Sequence, residues 1–82
     1  MFRTLLQTGH VEVDGRVYVV HYFESKTARG LRRFSGEVIL GPGDRIIVDD
    51  DSLGSLQAKV ARVAPATIYS RTLLTRRTSV AA

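Results

Sequence analysis

Through the first fifty residues apolar side chains tend to alternate with polar ones, and after Ser52 they recur with a helical period. The switch lies within residues 38–63. Two apolar runs, Val38-Ile39-Leu40 and Ile46-Ile47-Val48, flank Gly41-Pro42-Gly43-Asp44. Branched side chains pack well on a pleated surface, and proline beside glycine favours a tight turn because its φ is pre-set. This predicts an antiparallel hairpin. Asp49-Asp50-Asp51-Ser52 comes next. Oxygen-bearing side chains ahead of a new apolar period accept the orphan amide hydrogen bonds of a helix start, and carboxylates complement the positive end of its dipole. Leu53, Leu56, Val60, Val63 and Ala64 then share one stripe, with Ser55, Lys59 and Arg62 away from it. At roughly 100° per residue this is one helix face. The pattern predicts a helix over 53–64, ended near Ala64 by Pro65, since proline disfavours helical geometry in the residue before it.

Upstream, Asp14-Gly15 sits between alternating apolar residues. That dipeptide suits a type I′ hairpin turn, which needs positive φ at both central positions. A two-residue loop pairs Val13 with Arg16, Val11 with Tyr18 and His10 with Val19. One face then carries Val11, Val13, Tyr18, Val20 and Tyr22, the better core. The other carries His10, Glu12, Val17, Val19, His21 and Phe23. Residues 2–7 read as strand, with Gly9 ending it or marking a bulge. Residues 25–30 read as a loop. In the third strand, 31–40, Phe34, Val38 and Leu40 lie on one face and Arg33, Ser35 and Glu37 on the other, with Ile39 breaking the alternation. Residues 46–48 form the fourth strand. In 66–74, Thr67, Ile68, Tyr69 and Thr72 suit a strand, while Ile68, Tyr69, Thr72 and Leu73 share one face of a short helix; the favoured of the two is a helical turn or short helix opened by Pro65. Residues 76–82 read as a disordered tail and 1–75 as a single domain. The expected fold class is α+β: a four-stranded antiparallel meander followed by an amphipathic helix on one face.

Composition narrows the field. At 82 residues the chain forms one domain with a small core. It contains no cysteine, so no disulfide staples it, and oligomerisation is a natural route to stability. No run approaches the roughly 18 apolar residues of a membrane span, and the apolar start is too short for a signal peptide. The expectation is a cytoplasmic protein that makes no use of a membrane. Twelve Lys and Arg against eight Asp and Glu give a net charge of +4, which permits a polyanion partner without requiring one.

The candidate chemistry is sparse. His10 and His21 lie diagonally on one face with Glu12 nearby, but this is no recognised metal spacing, and no metal site is assigned. The acidic run 49–51 reads as a helix cap, and Gly41-Pro42-Gly43 leads into a strand rather than a phosphate-binding helix start. Nucleophilic catalysis has no signature. His21 has Glu24 and Glu37 as carboxylate neighbours, but nothing places a substrate between them. The chain reads as a non-enzyme without a cofactor.

Two functional readings remain. Val17, Val19 and Phe23 make the mixed face too apolar for full solvation. It calls for cover by Ile68, Tyr69, Leu73 and Leu74 folding back, by a second copy in a homodimer, or by another protein. The first reading is therefore a protein-interaction or self-associating module. The alternative is nucleic-acid binding through Lys26, Arg29, Arg32 and Arg33, because arginine forks match phosphate geometry. Tyr18, Tyr22 and Phe34 would then stack bases on the sheet.

Overall fold

The computed structural model describes residues 3–81, with side chains through residue 74. Strands β1 (Arg3–Val13), β2 (Arg16–Lys26), β3 (Arg32–Gly41) and β4 (Asp44–Asp50) precede one helix, α1 (Leu53–Ala81). The strands form an antiparallel sheet in the order β1-β2-β3-β4. The helix packs on one face, as the alternation and the later helical period imply.

The first hairpin follows its turn. Asp14 (φ 52°) and Gly15 (φ 78°) both adopt positive φ, the requirement of a type I′ turn. The register is the one deduced from a two-residue loop: Val13↔Arg16, Val11↔Tyr18, His10↔Val19. That register turns Val20 and Tyr22 towards the helix, where they meet Phe34, Val38, Ile46 and Val48. From α1, Leu56, Val60, Ala64 and Ile68 complete the buried core. These four lie four residues apart, so they stack along one side of the helix.

Gly36 lies directly beneath the helix. A methyl group there would come within 3.2 Å of Val60 Cγ2 and 3.5 Å of the Tyr22 ring. The missing side chain lets α1 settle onto β3, and the Tyr22 ring fills the space beside it. Gly9 serves the same ring, since a methyl at that position would lie 3.2 Å from it. The irregularity in β1 is not at Gly9 but one turn of the pleat earlier, where the register shifts between Leu5 and Gln7.

The helix start is capped by Ser52 rather than by the acidic run itself, and Asp50 braces the cap through Ser55. Ser52 Oγ accepts from the Ser55 amide at 3.3 Å and the Ser52 carbonyl from the Leu56 amide at 2.9 Å. Asp50 accepts from the Ser55 hydroxyl at 2.8 Å and the Asp51 amide at 2.6 Å. These bonds, the Ser55 hydroxyl foremost, hold the Asp50 carboxyl below its ordinary pKa.

Two expectations for the C-terminal third are corrected. The helix does not end near Ala64, and no second helix begins at Pro65; α1 runs unbroken through Pro65. Proline deletes one intrahelical hydrogen bond, yet Ala64 and Ile68 carry the core stripe past it, so burial on both sides keeps the helix in line. The second correction is that the segment does not fold back over the mixed face. Ile68 packs on the helix side of the sheet, and Tyr69, Leu73 and Leu74 are exposed. The tail expected over 76–82 falls on residues whose side chains lie outside the described part.

Gly36→Val should cost about 1–3 kcal/mol by forcing α1 off the sheet, read as a lower urea midpoint with unchanged slope. Acid should also weaken the fold. Because the Asp50 pKa is lowered in the folded chain, its contribution is complete above the unfolded value of about 4 and is lost as pH falls through the lower folded value. The urea midpoint should therefore drop between pH 6 and pH 3, and Ser55→Ala should shrink that drop.

Candidate functional site

The face away from the helix is laid out by the ladders. Thr8, His21, Glu37 and Ile47 form one row across the four strands, and Leu5, Phe23, Ser35 and Asp49 form the next. Leu5 belongs here only because of the shift at Leu6. Without that extra residue the β1 side chains before it would alternate the other way. Arg3 shares the face with Leu5. Its guanidinium lies 4.1 Å from the Phe23 ring centroid and donates to Glu37 Oε1 at 2.9 Å. Arg45 approaches the same oxygen at 3.8 Å. Glu37 is only 4% exposed, so a carboxylate bracketed by two arginines is sunk into the middle of a face that no element among the described residues covers. His21 meets Phe23 edge-on, with ring centroids 6.4 Å apart.

Apolar side chains surround this polar centre. Val17 is 62% exposed, Ile47 57% and Leu5 53%. Val19, Phe23 and Ile39 are half-buried. Ile39 does interrupt the apolar–polar pattern of β3, just before the register shift between Ile39 and Gly41. It faces away from Val38 and Leu40, so β3 is apolar on both sides at this end.

A cleft opens there. The β2–β3 ladder stops at Val20↔Val38, although β2 begins at Arg16 and β3 continues to Gly41. Beyond the last rung the two hairpins diverge. A shallow cleft of about 550 Å³ lies between them, lined by Val17, Tyr18, Val19 and Ile39 with Arg16, His21 and Leu40 around it. On the helix side, Ile68, Arg71 and Thr72 line a second hollow of about 310 Å³ that shares Arg16, Tyr18 and Leu40. The side chain of Arg71 is anchored to Asp44. Thus Val17 and Val19 lie in the cleft, while Phe23 lies two rows away beneath Arg3. Strand alternation alone identified the face. The cleft, the bulge and the reach of Arg3 left no short-range signal.

The basic residues gather at the opposite end of the sheet but on both of its faces. Consecutive Arg32 and Arg33 point to opposite sides, as neighbours in a strand must. Arg32 is ion-paired with Glu24 and lies over Phe34 at 5.2 Å, and Arg33 is ion-paired with Asp51. The Arg32 hydrogen bond holds the Glu24 carboxyl below its ordinary range. Lys26 and Arg29 are exposed. Tyr22 and Phe34 are buried in the core, and burial pushes the Tyr22 phenol up. His10 and His21 are diagonal neighbours as deduced, and no group of three metal-ligating side chains occurs among the described residues. No helix among them is long and apolar enough to cross a membrane.

Arg3→Ala would leave buried Glu37 with only the longer Arg45 contact. A buried polar group left under-satisfied costs about 1–3 kcal/mol and a charged one more, so the urea midpoint should fall clearly. An unchanged midpoint would mean that Arg3 merely rests on the surface.

No family model matches this chain, and neither do the curated proteins or the solved structures.

Proposed function

We propose that this protein is a binding module rather than a catalyst, and that it self-associates through the helix-free face of its sheet. One observation carries the reading: the one helix among the described residues is spent on one face, while Val17, Ile47 and Leu5 stay more than half exposed on the other. A small core without disulfides gains stability when such a surface is buried. The nucleic-acid alternative draws less support. Two of its four cations are engaged with carboxylates, and two of its three stacking aromatics are buried in the core.

Sedimentation velocity tests the reading. The wild-type mass should rise with concentration from 9.1 kDa towards twice that value. Val17→Glu changes a largely exposed side chain, so it should leave the fold intact and hold the mass at that of one chain. A wild-type mass that stays at one chain across the whole concentration range would contradict self-association. Binding of single-stranded RNA that weakens steeply with salt would then move the nucleic-acid reading forward.

A further inference from the structure

Resting on that self-association, we infer its geometry: a second copy lays the projecting end of its α1 along the cleft side of the uncovered face, and receives the same in return. Three observations lead there. First, α1 outruns its own sheet. Arg71 is tied to Asp44, at the first residue of β4, and the helix continues to Ala81. At about 1.5 Å per residue that leaves roughly 15 Å of helix past the strand ends. The molecule accordingly measures 50 × 23 × 18 Å. Leu73 is exposed on this end, and Tyr69 just before it.

Second, the projection leaves from the same end of the sheet at which the cleft opens, but on the other face. A twofold axis across that end sets two sheets end to end with their helices on opposite sides. Each projecting helix then passes over the partner's helix-free face where Val17, Val19 and Ile39 lie. The cleft end of the open face and the exposed end of the helix are both used, and the contact closes as a dimer.

Third, electrostatics favour this arrangement over two sheets stacked face to face. Stacking would bury the Arg3–Glu37–Arg45 cluster at the centre of the face and strip water from its arginines, a cost that buried ion pairs repay only with near-ideal geometry. Docking at the cleft leaves that cluster at the margin. Of the basic residues after Asp51, Arg76 and Arg77 belong to the projecting length, and residues 72–81 include no acidic one. The hairpin it would cross carries Glu12, directly opposite Val17, and Asp14 in the turn, with Arg16 at the edge of the cleft. Two cations thus approach a hairpin end with two carboxylates and one cation, a modest net attraction.

The chain has no cysteine, so disulfide trapping reports the contact directly. Chains carrying Val17→Cys are mixed with chains carrying Leu73→Cys under mild oxidation, after circular dichroism confirms that both are folded. The mixture should yield at least fivefold more covalent dimer than either variant alone, with peptide mapping placing the bond between positions 17 and 73. Dimer forming equally well from Val17→Cys alone would mean stacked sheets and would overturn the helix geometry while leaving self-association standing. So would a mixture that yields no covalent dimer although sedimentation shows a dimer. A wild-type chain that is monomeric by sedimentation would overturn the underlying reading instead.

Discussion

The absence of a side chain at Gly36, beneath Val60, sets how closely the helix lies on the sheet. A methyl at position 36 would stand 3.2 Å from Val60 Cγ2, tighter than an ordinary contact, so Val60 or the helix would have to give. With no side chain there α1 settles over β3, and Leu56, Val60, Ala64 and Ile68 stack into the core at four-residue intervals. Tyr22 fills the flank that a side chain at 36 would otherwise occupy. The helix is thereby committed to one face along its whole packed length. Among the described residues no second helix covers the other.

That other face is therefore finished with side chains alone. Arg3 crosses Phe23 to reach Glu37, covering the aromatic ring and satisfying the carboxylate with one long residue. The arrangement depends on the extra residue at Leu6, which moves Arg3 and Leu5 onto this side of the sheet. The result is uneven: an ionic centre that resists further desolvation, and an apolar cleft where the two hairpins part. Binding at the cleft removes apolar area from water without disturbing the ion cluster, which is why the functional reading rests there.

Much of this could be read along the chain. Asp14-Gly15 defined a turn, the turn defined a register, and the register sorted Val20 and Tyr22 from Val17 and Val19. Ser52 caps the helix as its position before the apolar period implies, and Asp50 steadies it through the Ser55 hydroxyl. What escaped depends on distant parts of the fold. Pro65 looks like a helix end because its local preference is strong, but Ala64 and Ile68 are held by the sheet on either side of it. Gly9 looks like a bulge, whereas its lack of a side chain accommodates the Tyr22 ring. Ile39 interrupts a pattern because a strand apolar on both faces has no visible alternation. The cleft arises where a ladder stops, and no residue type announces that.

Amide hydrogen exchange at two protein concentrations tests the central claim, that a second copy completes the open face at its cleft end. The account predicts that protection of residues 17–19 and 39 increases with concentration, while that of the core positions Val20, Val38 and Val60 does not. Exchange at 17–19 and 39 that is identical at micromolar and millimolar protein would contradict it.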